Sequence, residues 1–120
     1  MEKGYLIVQT TTTDMIYPVT DVLVNVRKED ESHDFVTDRN GKTEKIEIEA
    51  PDTAFSTNQS DEESYTSVDV TVKKDGYYTI IVRNAQVFPK ETSLLYVNMI
   101  PLPENENEKT LEYFSNSQNL

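Results

Sequence analysis

The sequence contains no cysteine, which excludes disulfides, thiolate metal sites and a cysteine nucleophile while leaving the redox compartment open. Histidine is nearly absent: His33 is the single one, so any Ser-His-Asp arrangement would have to use it. No apolar run approaches the ~18 residues needed to span a bilayer. Met1 to Gly4 leads straight into Tyr5 to Val8, without the basic and apolar regions of a secretory signal. Positive charge is scarce, with 11 Lys and Arg against 22 Asp and Glu and a net charge of -11. That sign is wrong for gripping phosphate backbones or anionic lipid, so neither a nucleic-acid nor a membrane partner is expected.

What the sequence does have is the makings of one small folded unit. Its 120 residues, 36% hydrophobic and 28% charged with seven Tyr and four Phe, suit one domain with an ordinary core. Hydrophobic alternation of period two dominates, the pattern of a strand with one apolar face. Val22, Val24 and Val26 alternate with Leu23, Asn25 and Arg27; Ile46, Ile48 and Ala50 alternate with Lys45, Glu47 and Glu49; Val68, Val70 and Val72 alternate with Ser67, Asp69, Thr71 and Lys73. A helix would scatter these side chains around its circumference, and their β-branching lowers helix propensity further. Tyr5 to Val8, Tyr77 to Val82 and Leu94 to Ile100 are apolar on both parities, which predicts either central strands or strands whose outer face meets something.

A shorter strand is expected over Asp34 to Asp38, followed by Asn40-Gly41, a dipeptide that supplies the positive φ angles of a hairpin turn. Asp75-Gly76 punctuates the chain again, and Pro18 and Pro89 suit strand starts or edges. About seven short strands with turns between them predict an all-β sandwich. Charges near Lys28 to Asp30, Glu44 to Glu49 and Lys73 to Asp75 are suited to guarding its edge strands. Pro51 to Ser64 is polar and long for a connection, and reads as a loop. After Pro103 the composition turns acidic and polar, so residues 1–103 are expected to form the sandwich and 104–120 a polar C-terminal tail, with a weakly helical or docking patch around Leu111, Tyr113 and Phe114.

The order Pro18-Val19, Asp21 to Val26, Thr37-Asp38 to Gly41-Lys42-Thr43, and Val68 to Val72 with Asp75-Gly76-Tyr77 resembles the carboxypeptidase regulatory-like domain family. More narrowly, Tyr65 to Val70, Gly76-Tyr77-Tyr78, Val87-Phe88 and Met99-Ile100-Pro101-Leu102-Pro103 are similar to the version carried by clostridial spore cortex-lytic proteins. The resemblance covers most of residues 4–103. It implies a transthyretin-like, or prealbumin-like, seven-stranded antiparallel Greek-key β-sandwich. It also implies a non-catalytic binding, spacer or assembly module linked to spore or cell-envelope proteins. The location is left open, with cytoplasmic or spore-associated as the default expectation where no signal peptide or membrane span is read.

Chemistry has few candidates. His33 lies in a charged stretch that reads as a solvated connection. The transthyretin-like fold includes hydroxyisourate hydrolase, whose site is a cluster of several histidines with arginine and a Tyr-Arg-Gly-Ser ending, whereas this chain has one histidine and ends Ser117-Gln118-Asn119-Leu120. Asp61, Glu62 and Glu63 would carry the alternative reading, a small hydrolase built on loop carboxylates, but their flanks lack the apolar pocket that raises a general acid's pKa. Asp38 to Gly41 suits a turn better than a calcium loop, because the spacing puts Val36 at the first ligand position. No metal or cofactor is expected, and Asn58-Gln59-Ser60 reads as a chance glycosylation match. Surface recognition remains. In the long loop, Phe55 is a candidate apolar anchor beside Asn58 and Gln59, with Tyr65 at the exit, a set suited to glycan. On the two-sided strands, Tyr5, Ile7, Tyr77, Ile81, Leu94, Tyr96 and Ile100 share parities that would form an exposed patch for a protein partner or self-association. The competing expectation is that these residues line the core. A third class is a structural subunit of a larger assembly.

Overall fold

The computed structural model describes residues 2–12, 16–50, 65–103 and 110–114. They form two β-sheets packed face to face, without helix. The strands are β1 (Glu2–Thr12), β2 (Tyr17–Pro18), β3 (Leu23–Lys28), β4 (Glu31–Val36), β5 (Ile46–Ala50), β6 (Thr66–Lys73), β7 (Thr79–Val87), β8 (Thr92–Asn98) and β9 (Thr110–Phe114). One sheet runs β4-β3-β6-β7-β9; the other is built around β1, which pairs with β2, β5 and β8. Tyr5 pairs with both Glu47 of β5 and Thr92 of β8, and Thr11 with both Pro18 of β2 and Asn98 of β8. Since a strand has two edges, β8 occupies one edge of β1 while β5 and β2 share the other.

The alternating segments do what their period demands. Val22, Val24, Val26, Ile46, Ile48, Ala50, Val68, Val70 and Val72 are all buried, and with Leu6, Val8, Ile80, Val82, Val97 and Met99 they form one core between the sheets. The connection from β4 to β5 departs from the expected hairpin. Gly41 alone of the Asn40-Gly41 pair has positive φ, 76°, and the turn closes through Asp38 N–H to Lys42 O and Gly41 N–H to Asp38 O. The flanking strands then go to different sheets. Three buried threonines direct that crossing: Thr37 Oγ1 accepts Val22 N–H and donates to Val19 O, Thr43 Oγ1 accepts Val8 N–H, and Thr10 Oγ1 donates to Val19 O. Side-chain oxygens thereby satisfy backbone groups that a ladder would otherwise claim. The two-residue hairpin lies instead at Glu29-Asp30, between β3 and β4, with Glu29 at φ 55°.

Two further features differ from a seven-strand antiparallel sandwich. Both β1–β8 and β7–β9 are parallel pairs, and the described residues form nine strands. The ninth arises in the segment expected to be a tail: Thr110 to Phe114 pairs along β7, with Leu111 packed against the core. Its β-branched and aromatic residues suit a strand, but the pairing partner is distant in sequence and leaves no local signature.

Candidate functional site

Long-range register decides which side chains share a surface. On the outer face of the β1 sheet, Tyr5 stands between Glu47 and Thr92, Ile7 beside Leu94, and Gln9 beside Tyr96. Leu6 and Val8, on the opposite parity, take the core places. Tyr5 and Ile7 are half-buried, whereas Leu94 and Tyr96 are 44% and 49% exposed. These four of the seven patch residues therefore lie together. The other three do not join them: Ile81 lies on the outer face of the second sheet between Thr71 and Glu112, Tyr77 packs against the core, and Ile100 lies at the end of the sandwich, where its carbonyl accepts Tyr78 N–H at 2.8 Å. A strand parity cannot reveal which sheet the strand joins, and that is why the sequence grouped them.

The surface is electrostatically lopsided. Its β5 side carries Lys3, Lys45, Glu47 and Glu49: Lys3 pairs with Glu47, which holds the Lys3 ammonium pKa above its ordinary value, and the Lys45 ammonium sits 4.9 Å above the Tyr5 ring. Its β8 side, Thr-Ser-Leu-Leu-Tyr-Val-Asn, has no charged residue. β4 carries Glu31, His33 and Asp34, β5 carries Glu47 and Glu49, and β9 carries Glu112. Among the described residues β8 pairs only with β1, so its second edge is a row of backbone donors and acceptors without the charges that usually guard such edges.

A cleft of about 160 Å³ opens where the β4 edge faces β5, lined by Val26, Phe35 and Ile48 together with Lys28, Glu31 and His33. His33 belongs to strand β4, not to a connecting loop, and is solvent-exposed. It pairs in register with Val26; Glu31 lines the same cleft, whereas Asp34, of the opposite parity, accepts Asn25 Nδ2–H at 2.8 Å. Among the described residues no three His, Asp or Glu side chains are grouped to hold a metal ion. At the Asp38 turn, Oδ1 accepts Lys42 N–H and Asn40 N–H at 3.1 and 2.8 Å. Those two bonds, Lys42 first, hold the Asp38 carboxyl below its ordinary pKa.

Of the loop set, Phe55, Asn58 and Gln59, like Asp61, Glu62 and Glu63, lie outside the described residues. Tyr65 is exposed and its ring tilts at 59° against Phe88, centroids 5.6 Å apart. One constellation escaped the sequence reading: Arg83 of β7 reaches Asp69 of β6 at 3.0 Å and Glu112 of β9, tying three strands together on the outer face of the second sheet. Asp69 stands opposite both Arg83 and Asn84, a bulge in which Asn84 has φ 66° and donates its N–H to Asp69 Oδ1 at 3.0 Å. An Arg-Asn step directly after the apolar run Ile80 to Val82 is the signal that would have located it. Compared with protein-family models, curated proteins and solved structures, the chain finds no match in any of the three.

Proposed function

We propose that this chain is a non-catalytic binding or assembly module, a carboxypeptidase regulatory-like, prealbumin-like sandwich of the kind that accompanies spore and cell-envelope proteins, and that its contact surface is the β8 side of the β1 sheet. The observation that carries the reading is the exposure of Leu94 and Tyr96 on an uncharged edge strand. Apolar side chains beside unpaired backbone form the kind of surface that takes another chain.

The seven-strand kinship draws support from strand order. Setting aside β2 and β9, the remaining seven strands arrange as β5-β1-β8 against β4-β3-β6-β7. Strands β3, β4 and β5 follow one another around the sandwich and β6 returns beside β3, a Greek-key path.

Self-association is the direct test. Light scattering on the wild-type chain is expected to give a mass above 13.8 kDa, and Tyr96→Lys to return it to that value with unchanged circular dichroism. A wild-type chain that stays monomeric up to about 1 mM, where even a contact of roughly 4 kcal/mol is populated, would overturn the reading, as would a Tyr96→Lys chain of undiminished mass.

A further inference from the structure

The backbone of β8 specifies more than a sticky surface. Glu91 O accepts Tyr5 N–H and Met99 N–H donates to Thr11 O, at 2.9 and 2.6 Å. Peptide groups alternate sides along a strand, so the odd-numbered residues of β8 face β1. Thr92, Leu94, Tyr96 and Asn98 therefore direct their N–H and C=O groups toward the free edge. These four are symmetric in character about Leu95: polar at the two ends, large and apolar in the middle.

We propose that the occupant of this edge is a second copy of the same chain, joined through antiparallel β8–β8 pairing centred on Leu95, an inference that rests on the assembly reading above. A two-fold contact requires a self-complementary patch. Centring on Leu95 places Leu94 opposite Tyr96 of the second copy, and Thr92 opposite Asn98. All four outward residues are then used on each chain, in four pairs that each exchange two bonds, about eight in all. Shifting the centre by one residue either way leaves an outward residue unpaired. The two exposed Leu94–Tyr96 pairs become one apolar cluster on a continuous sheet β5-β1-β8 joined to its symmetry copy, flanked by Ile7.

Charge selects the occupant. Two copies each of net charge -11 can approach closely only where neither presents acid to acid. β4, β5 and β9 all carry acids, while β8 carries none. A basic partner would find no counter-charge on this edge. The remaining long-range repulsion falls off within about 8 Å at physiological salt, so dimerisation strengthens as salt is added from a dilute buffer.

The absence of native cysteine makes register directly readable. In Leu95→Cys the two thiols face each other in a non-hydrogen-bonded pair, with Cα atoms about 4.5 Å apart, within disulfide range. In Leu94→Cys alone the two positions are about 8 Å apart, too far. The full-length Leu95→Cys chain is expected to oxidise to a covalent dimer at least tenfold more than Leu94→Cys, and an equimolar mixture of Leu94→Cys and Tyr96→Cys to cross-link where neither does alone. The mixture uses exposed positions, so the test survives if the Leu95 substitution disturbs the core. Failure of both the single-site and the mixed cross-links, in chains that light scattering finds associated and Tyr96→Lys dissociates, would overturn the register and leave the assembly reading standing. Monomeric wild-type chain would overturn both.

Discussion

Replacing Thr37 with valine removes one hydroxyl and almost no volume, yet it should rank among the costlier conservative changes. Thr37 is 2% exposed; its Oγ1 accepts Val22 N–H and donates to Val19 O, each at 3.0 Å. Val19 O keeps a second donor in Thr10 Oγ1 at 2.9 Å. The loss therefore concentrates on Val22 N–H, a buried donor left without this acceptor, at a cost of about 1–3 kcal/mol. Taking the middle of that range, about 2 kcal/mol, and crediting the added methyl with up to about 0.8 kcal/mol of burial leaves a net loss of about 1–2 kcal/mol. At this chain length each kcal/mol lowers the melting temperature by roughly 4 °C, so Thr37→Val should melt about 4–8 °C below wild type. Equilibrium urea unfolding followed by circular dichroism gives the free energy, and an unchanged slope would show that the compactness of neither state has moved. Amide exchange at Val22 should accelerate beyond the global loss. Thr71→Val, on the outer face of the second sheet, should stay within about 0.5 kcal/mol. A Thr37→Val chain as stable as that control would refute the role given to the buried threonines.

Gly4→Ala should destabilise by about 1–3 kcal/mol in the same unfolding assay, because a Cβ there would collide with the Phe88 carbonyl oxygen and lie 2.6 Å from Val87 Cγ1; a neutral effect would mean that β1 does not run that close to the end of β7. Asp69→Ala should cost about 1 kcal/mol and Glu112→Ala less than about 0.5, since both partners of Arg83 are solvent-screened but Asp69 also holds the Asn84 N–H of the bulge; the reverse order would contradict the bulge assignment. Acid should loosen the Asp38 turn. Its folded pKa lies below the ordinary 3.8, so its stabilisation is complete above that value and disappears as pH falls through the lower folded pKa. Urea midpoints measured from pH 5 to pH 2 should fall less steeply in Asp38→Asn than in wild type, and parallel slopes would argue against the turn.

Much of the core was legible because its alternation is local. Val22, Val24 and Val26, or Ile46, Ile48 and Ala50, each name their own buried face. β1 and β8 were legible as strands but not as faces, since Leu6 and Ile7, or Leu95 and Tyr96, are apolar on either side, and only the opposing sheet decides between them. The Asn40-Gly41 dipeptide marked a turn and both flanking strands correctly, but not that those strands join different sheets instead of pairing as a hairpin. What redirects the chain there is the side-chain bonding of Thr10, Thr37 and Thr43, which links positions far apart in sequence. β9 was hidden for a related reason: Thr110 to Phe114 follows an acidic stretch, and its strand character depends on the waiting edge of β7. The four patch residues that do converge, Tyr5, Ile7, Leu94 and Tyr96, are brought together by a parallel pairing across most of the chain. The absence of charge in Thr92 to Asn98 was readable from the start; its meaning emerged only once β8 stood at an edge.

Residue-resolved hydrogen exchange along β8 at increasing protein concentration tests the central claim most directly. In dilute solution the amides of Ser93, Leu95 and Val97 should be protected by β1 while those of Leu94, Tyr96 and Asn98 exchange freely, and raising the concentration should protect the second set alone. Uniform protection along the strand at every concentration, or an even-numbered set that stays open while the chain associates, would contradict the account.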